Sequence, residues 1–377
     1  MKVVHIITGL GDGGAEHTLF KICKYDNVNN HVVISLKGPG KYYSLLKRLG
    51  IEVYCLNINI FFYKFFFLIK LLYTLRPDIV QTWLVHGDLI GGIAARLAGI
   101  KNILWNIRYS NFEIKKAKLT TILIVKILIK LSYVIPQSII VVSKKAKKIY
   151  ERSGYDKKKL ILIPNGYDLL ILKPSKLQKR FFKKKYKIKK STLVIGNIAR
   201  HDPKKDHLNL LNSLSIVRSK NINFICILAG SNIDRNNISL VTKIKELKLS
   251  NYVKLIGQKD NIIEIMNGLD IYIQSSSYGE GFPNVVAEAM ACGVSCVVTD
   301  VGDAAFIVGK TGVVVPPNNS IQLANALEKT IRKIGTKDLK NKSYKSRLRI
   351  KENFDIIKMI KLYNKSWIDV YKKNKIN

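Results

Sequence analysis

Glu280 and Glu288 stand eight positions apart in SSSYGEGFPNVVAEAMACGVSCVVTDVG, residues 275–302. An apolar run, residues 270–276, leads into a glycine-containing loop there. Pro283 then sits where the first turn of a helix tolerates a residue without an N–H. The unpaired N–H groups of such a helix start favour an anionic group, a sugar diphosphate for example, and a carboxylate one to two turns in accepts hydrogen bonds from ribose or hexose hydroxyls. Reach excludes a hydrolytic acid and nucleophile pair: eight residues of helix rise roughly 12 Å, against the roughly 5 to 9.5 Å between hydrolase carboxylates. The two glutamates therefore have separate tasks.

Four further loops carry residues suited to chemistry. Gly9, Gly11 and Gly14 match G-x-G-x-x-G after a first strand. A dinucleotide-binding dehydrogenase needs an acid at the end of the second strand, and residues 31–36 run into Ser-Leu-Lys instead. The glycines still let the backbone approach a phosphate or sugar closely. Arg200 and Lys205 follow the first strand of a second strand series, where two fixed cations would neutralise charge building on a departing diphosphate. His86 and Asp88 follow the fourth strand and Arg108 the fifth. Arg108 cannot be a general base at neutral pH; an anionic acceptor or donor phosphate is its expected partner, and a place over the sugar is that of His86. No D-x-D occurs and the six histidines lack ligand spacing, so no metal and no cofactor are expected.

These loops need strands to position them. Short apolar runs alternate with helical patterns twice over, the signature of α/β parallel sheets with helices on both faces. The first series is residues 3–8, 31–36, 51–56, 78–83, 102–107, 138–143 and 160–164; the second is 192–199, 223–229, 253–257, 270–276, 294–300 and 311–316. The expected organisation is two facing Rossmann-like, doubly wound domains with a cleft between them: residues 1–172 for an acceptor, a basic linker 173–190, residues 191–353 for a nucleotide-sugar, and a last helix from 354 to 377 crossing back to the first domain.

The net charge of +38 arises from 64 Lys and Arg against 26 Asp and Glu. Compositional bias toward lysine and an anionic partner both account for it. Nucleic acid is the weaker partner: there is no helix-turn-helix cue, zinc spacing or aromatic-interleaved RNA motif, and lysine greatly exceeds the arginine that base reading favours. An anionic membrane surface is the better one. Five scattered cysteines indicate reduced thiols in the cytoplasm, and the amino terminus reads as a buried strand without a signal-peptide pattern. Residues 61–75 and 119–142 are apolar but interrupted by lysines, so both are expected to lie along a membrane or pack on a sheet rather than to span a bilayer.

The order of these motifs carries a resemblance. E-G-F-P with a second glutamate eight positions after the first, then A-M-A-C-G-V and a strand ending in T-D, resembles the retaining glycosyltransferases of family 4 with the GT-B fold, group 1 type, of bacterial surface polysaccharide assembly. GGAE (residues 13–16), PNGYD (164–168), R-x(4)-K (200–205) and VVVPP (313–317) extend it over most of the chain. The resemblance implies that Glu288 holds the donor ribose and Glu280 the transferred sugar, that Arg200 and Lys205 clamp the diphosphate, and that Gly281, Phe282, Pro283 and Asn284 contact sugar and phosphate. It sets Gly13 and Gly14 over the diphosphate and puts Glu16, His86 and Arg108 on the acceptor or sugar side. Many members carry histidine where this chain has Arg108. The implied reaction moves a sugar, from a UDP-sugar foremost, to a lipid-linked or other glycan acceptor at the inner membrane face. A GT-B epimerase is an alternative needing more carboxylates, with Asp12 and Asp88 as candidates. A degenerate GT-B protein that binds membrane or polyanion is another.

Overall fold

The computed structural model describes residues 1–58, 63–108 and 119–376. It divides into two compact units, Met1–Gly166 with Ile356–Asn377, and Tyr167–Asp355.

The first unit is built on a seven-stranded sheet ordered β3-β2-β1-β4-β5-β6-β7, every pair parallel. Its strands are β1 (Lys2–Ile7), β2 (Asn30–Ser35), β3 (Glu52–Cys55), β4 (Ile79–Trp83), β5 (Ile103–Ile107), β6 (Ser138–Val141) and β7 (Leu160–Leu162). Each residue of β4 and β5 is buried, as expected of parallel strands covered on both faces. Alternation divides the side chains. Val4, Ile6, Val32, Ile34, Val80, Ile103 and Trp105 enter one apolar cluster, while Val3, Ile7, Val33, Ile79, Trp83 and Leu104 enter another. Around the sheet lie α1 (Gly14–Tyr25), α2 (Lys41–Arg48), α3 (Lys64–Leu75), α4 (Leu84–His86), α5 (Gly92–Leu97), α6 (Leu119–Leu131) and α7 (Lys144–Arg152), with a π-helical turn at Gly87–Gly91.

The second unit has a six-stranded parallel sheet ordered β10-β9-β8-β11-β12-β13. Its strands are β8 (Leu193–Ile198), β9 (Phe224–Ala229), β10 (Val253–Leu255), β11 (Ile271–Gln274), β12 (Ser295–Thr299) and β13 (Val313–Val315). Its helices are α8 (Lys176–Lys185), α9 (His207–Ser219), α10 (Ile238–Glu246), α11 (Ile262–Gly268), α12 (Asn284–Ala291), α13 (Ala304–Val308), α14 (Ser320–Arg332) and α15 (Lys337–Asn353). The chain then returns to the first unit in α16 (Ile356–Ile376), where Trp367 Nε1 donates to Gln81 Oε1 at 2.6 Å and Asn106 Nδ2 donates to the Tyr363 hydroxyl at 2.8 Å. Both sheets are Rossmann-like and match the expected α/β class.

Residues 173–190 correct the expectation of a linker. Ser175 caps α8 by accepting from the Gln178 N–H. The buried Phe182 lies so close to Gly268 that a Cβ there would collide with its ring, and Lys179 pairs with Asp270 at 2.5 Å. Lysines dominate the segment, yet a single apolar face suffices to dock a short helix. The apolar segments also resolve. Of residues 61–75, Phe61 and Phe62 lie outside the described residues and the remainder forms Tyr63 and α3; α6 ends well before Pro136. No helix among the described residues is long and apolar enough to cross a membrane.

Candidate functional site

In each sheet the strand order reverses between two central neighbours, and ligands of open parallel sheets bind in the crevice beyond such a reversal. In the second unit the reversal lies between β8 and β11. The loops that follow these strands hold Arg200 and Lys205 on one side and Glu280 on the other. Lys205 Nζ lies 2.5 Å from Glu280 Oε1, and Ser276 Oγ donates to the same carboxylate oxygen at 2.6 Å. Ser275 Oγ donates to the Lys205 carbonyl at 2.8 Å, and the Ser277 N–H to the Lys204 carbonyl at 2.9 Å, lacing the two loops together.

Beneath the Glu280 loop runs the turn after β12. The Asp303 N–H donates to the Gly281 carbonyl at 2.8 Å. Gly302 has φ +58, and a Cβ on it would lie 2.6 Å from the carbonyl oxygens of Glu280 and Gly281. Glycine is required there on both counts. Pro283 becomes the N-cap of α12 rather than its first-turn residue, and no side chain caps the helix. Asn284 accepts from the Tyr167 hydroxyl at 2.6 Å, and Phe282 stacks on Tyr167 with ring centroids 6.5 Å apart.

A cavity of about 210 Å³ opens against these groups, lined by Lys205, Ser276, Glu280, Phe282, Pro283 and Asn284 together with Asn197, Tyr272 and Gln274. Glu288 sits half-buried on α12. Burial holds the Tyr272 phenol well above its ordinary pKa, and Glu280, Cys296 and Glu288 add to that effect, so both glutamates act on the one hydroxyl. No motif marks Asn197, Tyr272, Gln274 or Ser276. Alternation on β11 is the signal that places Tyr272 and Gln274 on the same face. Arg200 stands apart from the expected clamp: its Nε bonds Asp202 Oδ2 at 3.1 Å and its side chain is 65% exposed. The neighbouring Asp202, two residues on, draws the guanidinium outward. A larger hollow of about 690 Å³ at the β10 edge, lined by Lys185, Arg235, Lys245 and Lys254 among others, contains none of the expected site residues.

In the first unit the order reverses between β1 and β4. Gly13 is the extended N-cap of α1, and Glu16 folds back over it, so that any Cβ at Gly13 would strike the Glu16 carboxylate. Burial raises the Glu16 pKa. Beside it His17, which no spacing singles out, bonds the Tyr42 hydroxyl through Nδ1 at 2.8 Å and is held neutral by burial at a pKa of about 4. After β4, Leu84 takes φ +68 to begin α4, and His86 is exposed, its pKa lowered by partial desolvation and then by Lys37. Asp88 is buried, accepts from Thr82 Oγ1 at 2.6 Å and is pushed by burial to a pKa of about 7. That internal bond removes it as a carboxylate free to face a sugar.

Arg108 is engaged by side chains of its own unit. Its Nε donates to Asn106 Oδ1 at 3.0 Å, Nη1 to Asn165 Oδ1 at 2.5 Å and Nη2 to the Tyr363 hydroxyl at 2.8 Å, with the guanidinium 5.3 Å from the Trp83 ring. These contacts fasten α16 to the sheet. Among the described residues His5, Cys23 and His31 also come together, a grouping invisible in their spacing. Trp83 Nε1 donates to His5 Nδ1 at 3.2 Å, His5 Nε2 bonds His31 Nδ1 at 3.0 Å, and His31 Nε2 bonds Asp26 Oδ2 at 3.2 Å. All four ring nitrogens are occupied, which makes this a buried structural chain.

Comparison with known proteins agrees with this architecture. The model described as Glycosyltransferase Family 4 matches residues 5–169, and the model described as Glycosyl transferases group 1 matches residues 178–352. The UDP-Gal:alpha-D-GlcNAc-diphosphoundecaprenol alpha-1,3-galactosyltransferase of Escherichia coli is 24% identical over 360 residues, covering 93% of this chain and 92% of that protein. The N,N'-diacetylbacillosaminyl-diphospho-undecaprenol alpha-1,3-N-acetylgalactosaminyltransferase of Campylobacter jejuni is 28% identical over 275 residues, 69% of this chain and 70% of that one. The crystal structure of Anabaena HepE in complex with UDP superposes with a TM-score of 0.86 at 20% identity, covering 98% of this chain and 100% of that chain. Two Rossmann-like sheets, a site at the β8/β11 reversal and two glycosyltransferase models that match the two halves of the sequence in turn have one reading: the chain is a glycosyltransferase of GT-B fold.

Proposed function

We propose that the protein is a retaining, metal-independent glycosyltransferase that moves a sugar from a nucleotide-sugar, a UDP-sugar foremost, to a lipid-linked oligosaccharide in surface polysaccharide assembly. The observation that carries this reading is the Lys205–Glu280 pair, bridged to Ser276, in the cavity at the uncapped start of α12. Glu280 receives hydroxyls of the transferred sugar. The α12 N-terminus and Lys205 receive the diphosphate, and Glu288 the ribose. Arg200 completes the clamp by leaving Asp202, a side-chain rotation that its exposure permits. With protein cations neutralising the leaving group, the reaction needs no metal. Retention at a site whose sugar-facing carboxylate is tied to a lysine fits front-face substitution, in which the departing phosphate takes the acceptor proton. The lipid-linked acceptor is supported by the names of the Escherichia coli and Campylobacter jejuni relatives.

Residence on the inner face of the plasma membrane belongs to the same proposal. Tyr63, Phe66, Phe67 and Tyr73 on or beside α3, and Leu123 and Ile127 on α6, are exposed apolar side chains among lysines. Such surfaces bind anionic lipid through both apolar burial and charge. The functional test is thermal stabilisation of the purified protein by UDP, GDP, ADP and their sugar conjugates, followed by transfer to undecaprenyl-diphosphate-linked sugars in EDTA. Selective stabilisation by one nucleotide series and transfer with retained anomeric configuration is the expected result. No response to any nucleotide, loss of transfer in EDTA, or an inverted product refutes the corresponding part.

A further inference from the structure

Gln274 ends β11 with its side chain 3% exposed. Neither its amide nitrogen nor its amide oxygen has a hydrogen-bond partner among the described residues, and it lines the 210 Å³ cavity that holds Glu280, Lys205 and Ser276. Asn197, 2% exposed on the neighbouring strand β8, lines the same cavity. Its Nδ2 donates to the Ile273 carbonyl at 2.8 Å, which fixes the carboxamide and leaves Oδ1 as an unpartnered acceptor. More than nine in ten buried polar groups in native proteins are paired. Three unpaired amide atoms on one small cavity therefore describe a missing polar occupant.

The atom types define that occupant. A phosphate offers acceptors alone, so it would pair the Gln274 Nε2 and leave Gln274 Oε1 and Asn197 Oδ1 bare. A hydroxyl or acetamido group gives one hydrogen bond and takes another, and satisfies both ends of a carboxamide. Glu280 in the same cavity accepts from hydroxyls, as such an occupant requires. The cavity volume exceeds that of a lone water severalfold, since a water takes about 30 Å³.

We propose that Gln274, assisted by Asn197, is a specificity-determining residue that reads the hydroxyl or acetamido groups of the sugar being transferred. This inference rests on the donor reading of the cavity given above. It differs from the roles of Glu280 and Lys205 in being uncharged: it distinguishes one sugar from another and leaves the leaving-group chemistry alone. A site built to hydrogen-bond a sugar substituent rejects analogues lacking it far more strongly than an apolar pocket rejects an added group.

The test uses the full chain and Gln274→Met, which keeps length and volume while removing both hydrogen-bonding atoms, with Gln274→Glu as the second variant, which keeps the acceptor and replaces the amide donor with a second acceptor. Calorimetry measures affinity for UDP, GDP and ADP. Turnover is measured with the glucose, galactose, N-acetylglucosamine and N-acetylgalactosamine conjugates of whichever nucleotide binds. The expected result is unchanged nucleoside diphosphate affinity, a loss of at least about tenfold in kcat/KM for the preferred conjugate, and a compressed or reordered preference among sugars, with Gln274→Glu reordering it differently. An equal loss for the free nucleotide and its conjugates places the contact on the nucleotide and overturns the inference. Unaltered sugar preference in both folded variants means that the cavity holds only water there, and overturns it as well. Absence of nucleotide binding by the unmodified protein instead removes the donor reading itself.

Discussion

Replacing Lys205 with Met separates the loop-tying contact this lysine makes from the leaving-group role proposed for it. Its ammonium lies 2.5 Å from Glu280, and the two side chains are 26% and 12% exposed. The pair is therefore partly screened by solvent, and Glu280 keeps the Ser276 hydroxyl at 2.6 Å after the substitution. The loss of stability should be about 1 kcal/mol, near the upper end for accessible ion pairs. For a unit of this size that is a fall of about 2–4 °C in Tm. The catalytic loss is larger if the same cation stabilises the departing diphosphate. Removing one preorganised donor from such a site costs about 10²–10³ in kcat, or about 2.7–4 kcal/mol. The two magnitudes differ enough to be told apart. The assay is sugar transfer with saturating acceptor at temperatures well below Tm, with kcat and donor KM measured separately. Because a transition-state contact lowers kcat and kcat/KM together, donor KM should change little. Lys205→Met combined with Glu280→Gln should fall short of the sum of the single losses by more than about 0.5 kcal/mol, as expected of residues in direct contact. A variant that keeps kcat within threefold while its Tm falls would show that Lys205 merely ties two loops together, and the leaving-group role would be withdrawn.

Glu288→Gln should weaken UDP binding about tenfold, the cost of a charge-assisted hydrogen bond to ribose; calorimetry on the folded variant with unchanged affinity removes the ribose assignment. His207, buried and without a hydrogen-bond partner among the described residues at either ring nitrogen, has its pKa lowered to about 4 by burial, with His201 and Lys205 adding. The unfolded chain takes up that proton first. The folded state is unaffected above about pH 6.5 and loses stability as pH falls to about 4, by on the order of 3 kcal/mol in all. His207→Gln should flatten the stability profile in that window by close to one proton, and an unchanged slope contradicts the assignment. Cosedimentation with vesicles containing anionic phosphatidylglycerol should exceed that with neutral vesicles and weaken between 0.05 and 0.5 M salt, a range over which the Debye length falls from roughly 14 to 4 Å; equal binding to both vesicle types refutes electrostatic docking.

The division between what was legible in the sequence and what was not follows the range of the forces concerned. The thirteen strands among the described residues are readable as apolar runs because parallel strands covered on both faces leave little room for polar residues. Glu280 and Lys205 are readable because both follow strands that flank the reversal of sheet order, a consequence of topology. Side-chain partnership is set at shorter range and is hidden. A cation placed correctly after β8 still turns outward because Asp202 stands two residues away. Arg108, placed correctly after β5, is claimed by Asn106, Asn165 and Tyr363, two of which are 57 and 255 positions distant along the chain. The lysine-rich stretch hides α8 for a related reason: its docking depends on Phe182 meeting Gly268, a contact that composition cannot express. Gln274 is the extreme case. A glutamine at the end of an apolar strand reads as a strand terminus, and it acquires meaning when burial is combined with the absence of a partner and a cavity in front of it. In this fold, then, strand patterning identifies the loops that carry the reaction, while selectivity between sugars resides in side chains whose environment is set by the packing of β8, β11 and α12.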